Sequence, residues 1–144
     1  MSVSIDTRIS VDNKQIPLRV FGNTWLEVDC DLDLIDVYIN KLNYNNSMRL
    51  ISYRDCITKE LFGIRVSDDQ EMITTDKNTI LIKKASDIKP DDYLMSFKDG
   101  ITRFFYVVST LQLYDIEDHA YNIYSSDDYN HAIVNEIMIP VHNF

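Results

Sequence analysis

Runs in which apolar and polar residues alternate recur along most of this chain, and they are rich in Ile, Val, Tyr and Phe. Alternation with a period of two places apolar side chains on one face of an extended strand and polar side chains on the other. Examples are VSIDTRISV near the start, TRFFYVVSTL in the second half and HAIVNEIMIPV near the end. Clusters of Asp, Asn, Gly and Pro separate the runs. The pattern therefore predicts an all-β fold built from many short strands.

A few stretches refine that prediction. DLDLIDVYINKL also fits a helical period, and SDIKPDDY predicts a short helical turn that ends at Pro90. The turn-like NYNNS between IDVYINKL and MRLISYRD predicts a hairpin. Because the chain has only 3 glycines, we expect Asn and Asp to occupy most turn positions that require a positive φ.

Composition and charge narrow the classes of function. The 144 residues suit one domain that spans residues 1–144. The 23 acidic residues against 14 Lys and Arg give a formal charge of −9, which argues against binding of a phosphate backbone. No apolar run approaches the roughly 18 residues of a membrane span, and the start MSVSIDTRIS lacks the features of a signal sequence. We therefore expect a cytoplasmic monomer.

Metal and disulfide sites are not indicated. Cys30 and Cys56 predict free thiols rather than a disulfide framework. DCDLDLIDVYIN begins like a calcium loop, but Leu34 stands where that loop needs Gly and Asn40 where it needs Glu. The histidines, at positions 119, 131 and 142, lie too far apart for a local zinc pattern. No Ser lies in a Gly-flanked hydrolase elbow. We therefore expect no metal and no cofactor.

The first of three separated stretches, SVSIDTRISVDNKQIPL, resembles the N-terminal block of inteins, the self-splicing domains of the Hint (hedgehog/intein) superfamily. That block begins with a nucleophilic residue, and Ser2 stands in its place. The family continues with Gly-Asp-Thr after two variable residues. Asp6 and Thr7 match the last two of these residues, whereas Ile5 replaces the glycine.

The second stretch, IRVSDDQEMITTDKNTILIKKASDIKPDDYL, is similar to the central intein block. Its later part, KKASDIKPDDYL, closely follows the Lys-Ala-x-x-Leu-Lys-Pro-Gly-Asp turn of the family. The Thr-x-x-His of the family falls on SDDQ, where Ser67 keeps a hydroxyl and Gln70 replaces the imidazole. Gln70 can donate a hydrogen bond, but it cannot carry a proton as imidazole does. Ordinary roles in a polar turn are the alternative interpretation of Ser67 and Gln70.

The third stretch, YNIYSSDDYNHAIVNEIMIPVHN, resembles the closing intein block. His131 matches the upstream histidine of that block, and His142 with Asn143 matches its final pair. Asn122 stands in the place of the usual Asp, with Asp115 in LYDIED as the alternative counterpart. Each stretch alone is a weak signal. Together they occur in the order of the family and reach both ends of the chain, which makes the combination specific.

The resemblance implies a Hint-type horseshoe with pseudo-twofold halves, in which both ends of the chain meet at a central site. It implies self-catalysed protein splicing, in which Ser2 attacks the Met1 carbonyl in an N-to-O acyl shift. Asn143 then cyclises to a succinimide and releases Phe144. The intein proper would span residues 2–143, between the flanking residues Met1 and Phe144, with no homing endonuclease domain. Its partners would be its own flanking segments, or a complementary half if the gene is split, with no nucleic acid and no membrane.

Phe144 departs from the family because full splicing passes the upstream segment to a Cys, Ser or Thr at that position. Two interpretations follow: either Phe144 replaces a native nucleophile, or the domain only cleaves. A third interpretation belongs to another class of function, a non-catalytic acidic β-rich binding module. It requires Ser2 and Asn143 to lie far apart.

Overall fold

The computed structural model describes residues 1–30, 33–116, 119–125 and 130–143. Within them the chain forms strands and two short 3-10 turns, Leu18–Val20 and Ala85–Asp87, and no α-helix. The strands are β1 (Val3–Ser4), β2 (Arg8–Val11), β3 (Lys14–Pro17), β4 (Thr24–Cys30), β5 (Asp33–Asn43), β6 (Ser47–Asp55), β7 (Leu61–Val66), β8 (Glu71–Thr75), β9 (Ile80–Lys84), β10 (Tyr93–Lys98), β11 (Ile101–Ile116), β12 (His119–Ser125), β13 (Asn130–Val134) and β14 (Ile137–Asn143). The all-β prediction and the helical turn before Pro90 are confirmed.

The described strands form one open sheet. Its main path runs β3-β2-β13-β14-β12-β1-β7-β6-β11-β10-β8-β9, with β5 beside β12 and β4 beside β5. Alternate side chains along these strands meet in a common core, whose largest fully buried members are Tyr53, Tyr121 and Phe105. The rings of Tyr53 and Phe105 meet edge to face, 5.7 Å between centroids. Burial of one such side chain contributes about 1.5–3 kcal/mol.

Aspartate and asparagine occupy most of the described turn positions with a positive φ, as predicted from the scarcity of glycine. Asp12 and Asn13 join β2 to β3, and Asp99 precedes Gly100 between β10 and β11. Asn135 opens the turn between β13 and β14. Two-residue hairpin turns need these left-handed conformations, which Asn and Asp adopt more readily than most residues.

The predicted hairpin between β5 and β6 is wrong. β5 pairs with β4 and β12, whereas β6 pairs with β7 and β11. The helical alternative for this stretch is also wrong, since residues 33–43 form one continuous strand. Alternation identifies the two faces of a strand, but it does not identify the strand that lies next to it.

β12 has two edges, and their different partners organise the molecule. β5 pairs with every residue of 119–125 along one edge. β1 and β14 therefore share the other edge. β1 runs antiparallel to β12 and pairs with Ala120 and Tyr121. β14 runs parallel to β12 and pairs with Tyr124 and Ser125. The first and last strands of the chain thus follow each other along one strand edge.

This arrangement brings the two ends of the described chain together. Continuing the β1 register by one residue places Ser2 opposite Asn122, while His142 lies opposite Tyr124. Two residues of a strand span about 7 Å. The prediction that both ends meet at a central site is confirmed.

Candidate active site

The main chain at Ser2 is held by Ser67, the residue that follows β7. Val3 pairs with Val66, which sets Ser67 beside Ser2. The Ser2 N–H donates to the Ser67 hydroxyl oxygen at 2.8 Å, and the Ser67 N–H donates to the Ser2 carbonyl at 2.9 Å. Both serines are buried. The nitrogen of the Met1–Ser2 peptide bond is therefore fixed against a buried hydroxyl group.

The Ser2 side chain is held by Asn122, its neighbour on β12. The Ser2 hydroxyl donates to the Asn122 carboxamide oxygen at 3.0 Å. The Asn122 carboxamide nitrogen donates to the Tyr124 hydroxyl, also at 3.0 Å. A carboxamide oxygen accepts a hydrogen bond but does not take up a proton near neutral pH. Asn122 therefore orients the Ser2 oxygen without serving as its base.

Asp69 extends the contact of Ser67 outward. The Ser67 hydroxyl donates to one Asp69 oxygen at 2.7 Å, and the Met1 ammonium lies 3.2 Å from the other. The hydrogen bond from Ser67 lowers the pKa of Asp69 below its ordinary value, with a further contribution from the ammonium. An ionised carboxylate can only accept hydrogen bonds. Asp69 thus fixes the direction of the Ser67 proton and leaves the Ser67 oxygen free to accept from Ser2.

Gln70, which replaces the histidine of the central block, lies beside Met1 but donates its side-chain hydrogen bond within its own turn. Its side chain is buried and lines a cavity beside Met1. Its carboxamide nitrogen donates to the Glu71 carbonyl at 2.9 Å. Its main-chain N–H donates to the Ser67 carbonyl at 3.1 Å and closes the turn between β7 and β8. The Gln70 side-chain amide, which stands in place of imidazole, is therefore hydrogen-bonded within this turn.

His142 lies across the same cavity, which has a volume of about 80 Å³ and is lined by Met1, Gln70, Asn122, Tyr124 and His142, among others. The His142 Nε2 atom is 2.8 Å from a carboxylate oxygen of Glu71, the first residue of β8. The His142 side chain is 45% exposed and that of Glu71 is 32% exposed. The cavity joins groups from both ends of the chain with the turn between β7 and β8. The binding-module interpretation required these ends to lie far apart.

Asn143 ends β14 and pairs through its main chain with Ser125. Its side chain lies outside what the structure describes, and so does Phe144. The Asn143 backbone therefore lies on the same edge of β12 as His142, which pairs with Tyr124.

His131 lines a different cavity from the one at Ser2. It pairs with Pro140 in the β13–β14 hairpin and lies in a cavity of about 530 Å³ with Cys30, Met95 and Met138 among its other lining residues. Burial lowers the pKa of His131. Because cross-strand partners share a face, His131 and His142 lie on the same face of the hairpin as diagonal neighbours, about 7–8 Å apart.

Several solved structures that share this architecture are inteins. A crystal structure of an intein from a hyperthermophile matches with a TM-score of 0.75 at 10% identity, over 96% of this chain and 98% of that chain. The PabCDC21-1 intein matches with a TM-score of 0.72 at 13% identity, over 97% and 98% of the two chains. A DnaB intein from Synechocystis sp. PCC 6803 gives 0.70 at 11% identity, over 97% of each. This chain has the intein fold.

No family model and no curated protein matches the sequence. The intein fold is therefore recognised from the structure, at identities too low to carry residue roles across. It confirms the predicted Hint-type all-β fold class.

No cluster of metal-binding side chains occurs in the part of the chain that the structure describes, and no helix there is long and apolar enough to cross a membrane.

Thr7 and Asp115, two residues matched to the family blocks, lie in different parts of the structure. Thr7 is fully buried, and its hydroxyl lies 3.4 Å from that of Ser4 in the turn after β1. The Thr7 N–H donates to the Ser4 carbonyl, and the Thr7 carbonyl accepts from the Leu18 N–H. Thr7 therefore closes the turn that follows β1. Asp115 belongs to the end of β11, beside β6, and its side chain is outside the described part. Of the two candidate counterparts, Asn122 has a described side chain, and it accepts a hydrogen bond from Ser2.

Sequence reasoning missed the two carboxylates that flank Gln70. Asp69 reaches the Ser67 hydroxyl, and Glu71 reaches His142. In the sequence they are part of an acidic turn, DDQE, in a chain with 23 acidic residues. Their position in the sequence gave a partial indication of a role in the site, because they adjoin the residues that match the central block. Nothing local distinguishes them from solvated charges.

Proposed function

We propose that the chain is a mini-intein whose residues 2–143 excise themselves from a longer precursor, with Ser2 and Asn143 at the two scissile junctions. The observation that carries the proposal is the shared edge of β12, where Met1 and His142 line one cavity. Groups held in one site before reaction gain a large effective molarity, so peptide bonds can be rearranged without a cofactor.

At the upstream junction the Ser2 hydroxyl oxygen bonds to the Met1 carbonyl carbon while the bond to the Ser2 nitrogen breaks. The hydroxyl proton moves to the departing nitrogen, so an amide becomes an ester and a free amine. The step is uphill, and it depends on holding the oxygen and the nitrogen in place. The contacts of Asn122 with the Ser2 hydroxyl and of Ser67 with the Ser2 nitrogen support these two roles.

Proton transfer is the weak point of this upstream site. Neither Asn122 nor Gln70 can carry a proton near neutral pH. The Ser67 hydroxyl contacts the departing nitrogen directly, but its own proton is directed to Asp69. We therefore expect the acyl shift to be slower than in a site with imidazole at position 70.

At the downstream junction the Asn143 carboxamide nitrogen bonds to its own main-chain carbonyl carbon and closes a five-membered succinimide. The bond to Phe144 breaks, one proton leaves the carboxamide, and one proton reaches the Phe144 nitrogen. No water is consumed. His142 is adjacent, and imidazole can exchange protons at neutral pH. His131, on the same face of the hairpin, is a second imidazole for polarising this junction.

The residue at position 144 decides between ligation and cleavage. With Ser at this position, the new hydroxyl would take the acyl group from Ser2 before Asn143 cyclises. Phe144 has no such group, so this chain is limited to cleavage. A cleavage-only function is favoured by one observation: among the described residues, the His142 ring is hydrogen-bonded to Glu71 and not to Ser67 or Asn122, whose side chains hold Ser2.

The test places residues 2–143 between two reporter proteins, in one version with Phe144 and in another with Phe144→Ser. Intact mass spectrometry follows both precursors. We expect the Phe144→Ser precursor to yield ligated reporters and excised domain, and the Phe144 precursor to yield cleavage products only. Neither ligated nor cleaved product from either precursor would contradict the proposal.

Two variants separate the two functions. In the Phe144 precursor, Asn143→Ala should stop release of the downstream reporter in either case. Ser2→Ala should leave that release intact if cleavage is independent of the upstream step. Equal loss of downstream release in both variants would count against the cleavage-only function and in favour of an ordered splicing reaction.

A further inference from the structure

The contact between Glu71 and His142 is an acid–imidazole pair that the intein-like sequence blocks do not include. Its atoms are 2.8 Å apart, the length of a charge-assisted hydrogen bond. It joins β8 to β14, two strands that pack against each other without being neighbours in the sheet. Both side chains are partly exposed. The pair therefore joins two strands that are not neighbours in the sheet, beside the cavity that Met1 and His142 line.

The main chain at Glu71 is fixed by its surroundings. The buried Gln70 side chain donates to the Glu71 carbonyl at 2.9 Å. The main chain of Gln70 is bonded on both sides, by its N–H to the Ser67 carbonyl at 3.1 Å and by its carbonyl to the Ala85 N–H at 2.8 Å. The turn that contacts Ser2 through Ser67 thus also sets the position of Glu71.

We propose that Glu71 is a positioning residue for the cyclisation of Asn143 and acts through His142. This inference rests on the proposed role of Asn143. A carboxylate only accepts hydrogen bonds, so its contact keeps the proton of neutral His142 on Nε2 and leaves Nδ1 without a proton. Nδ1 is bonded to the ring carbon that carries the side chain and lies on the main-chain side of the ring. Nδ1 is therefore the basic nitrogen of neutral His142.

Glu71 acts on the proton transfer in two ways. It holds the ring so that Nδ1 can take the proton that leaves the Asn143 carboxamide and pass a proton to the Phe144 nitrogen. It also stabilises the imidazolium that exists between these two transfers, as a buried acid does for histidine in hydrolase triads. Because Glu71 and His142 are partly open to solvent, the charge effect is weaker here than in a buried triad.

The experiment uses the full chain with a reporter protein joined after Phe144. It compares Glu71→Ala, which removes the acceptor, with Glu71→Gln, which keeps a neutral acceptor oxygen. Glu27 on β4 provides the matched controls, Glu27→Ala and Glu27→Gln, because its exposed carboxylate has no hydrogen bond or ion pair within the described residues. Two readouts are taken: the rate of reporter release, and the His142 tautomer by nitrogen-15 NMR at alkaline pH in the Asn143→Ala chain, which cannot release the reporter.

We expect the parent chain to show almost exclusively the Nε2–H tautomer of His142, Glu71→Gln to retain most of that preference, and Glu71→Ala to shift towards the mixture of tautomers of a free histidine side chain. Release should slow about 10-fold in Glu71→Ala, less than the ~100-fold that a complete general acid or base supplies at minimum. Glu71→Gln should fall between Glu71→Ala and the parent, and the Glu27 variants should match the parent.

Two results would overturn the inference, and they are distinguishable from failure of the proposed function. If Glu71→Ala releases the reporter as fast as the parent, or leaves the tautomer unchanged, Glu71 does not position His142. If the parent chain itself releases nothing while the Glu71-dependent tautomer is present, the proposed function fails and takes the catalytic part of this inference with it.

Discussion

The two proposed junctions, at Ser2 and Asn143, adjoin one edge of β12, yet their surroundings differ. Ser2 is 5% exposed, and its nitrogen, carbonyl and hydroxyl all have hydrogen-bond partners. His142 is 45% exposed, and among the described residues its ring has one hydrogen-bond partner, Glu71. The upstream site is rigid, but Ser67 and Asn122, the described side chains that hydrogen-bond Ser2, cannot carry a proton near neutral pH. The downstream site is open and has an imidazole.

This difference teaches that positioning and proton transfer are separable requirements. Burial and complete hydrogen bonding fix the Met1–Ser2 bond without supplying an acid. A partly exposed imidazole with a carboxylate partner supplies proton exchange with less rigidity. We therefore expect the upstream step to respond most to new proton carriers, and the downstream step to respond most to changes that affect His142.

The largest effect is expected from Gln70→His, which places an imidazole in the cavity beside Met1. The acyl shift should accelerate by about 100-fold, the lower end of what general acid–base catalysis contributes. The rate of cleavage by hydroxylamine at the Met1–Ser2 junction measures the ester. Gln70→Met serves as a control of similar size without a proton carrier, and it should give no acceleration. If Gln70→His folds but its acyl shift is no faster than that of the parent, the lack of a proton carrier does not limit the upstream step.

The next effect is expected from Ser67→Ala, which removes the acceptor of the Ser2 N–H. A buried donor left without a partner costs about 1–3 kcal/mol, so the free energy of unfolding should fall by this amount. Urea denaturation measures it. Ser67→Thr keeps the hydroxyl and should stay close to the parent. Equal losses in the two variants would mean that crowding at position 67, rather than the hydrogen bond, sets stability.

A smaller effect is expected from Asn122→Asp, which keeps an oxygen near the Ser2 hydroxyl and makes it able to take a proton. The acyl shift should accelerate by about 10-fold, while Asn122→Ala should slow it because the hydroxyl is no longer oriented. The same hydroxylamine assay measures both variants. If Asp and Ala at this position have the same rate, Asn122 has no part in handling the Ser2 hydroxyl.

The smallest effect concerns Asp69, whose pKa is lowered chiefly by the Ser67 hydrogen bond. A carboxyl group with a lowered folded-state pKa contributes stability that is complete above its unfolded-state pKa. That contribution is lost as the pH falls through the folded-state pKa, so the parent should be slightly destabilised on acidification below about pH 4.

Asp69→Asn should remove this part of the acid dependence, and the exposed Asp87→Asn should not. Urea denaturation at neutral and acid pH measures the difference. The change should be small because the Asp69 side chain is 63% exposed. An acid dependence in Asp69→Asn equal to that of the parent would show that the Ser67 contact contributes nothing to stability.

Much of the fold follows from the sequence because strand alternation and turn residues are local signals. The strand faces and the positive-φ aspartates were predictable in this way. The partner of β5 was not, because its pairing with β12 joins residues that are far apart in the chain. The nearer strand β6 was the wrong choice, although the turn between β5 and β6 has the composition of a hairpin turn.

The residues of the candidate site were likewise predictable from the sequence only in part. Ser2, Ser67 and Asn122 were proposed from motif positions, and in the structure the Ser67 hydroxyl accepts from the Ser2 main-chain N–H and the Asn122 carboxamide accepts from the Ser2 hydroxyl. Asp69 and Glu71 were not proposed, because a carboxylate in a polar turn is ordinarily solvated. What distinguishes them is a partner at the opposite end of the chain or across the turn, which only the fold provides.

The most direct test is the proximity of the two ends in solution, measured by nuclear Overhauser contacts in the isotope-labelled chain. We expect cross-peaks between the Met1 side chain and the His142 ring, because both line the same cavity. Cross-peaks between the paired residues Val3 and Tyr121 serve as the internal control for β1. If the control cross-peaks are present and those between Met1 and His142 are absent, the two junctions do not share a site, and self-splicing by this chain is contradicted.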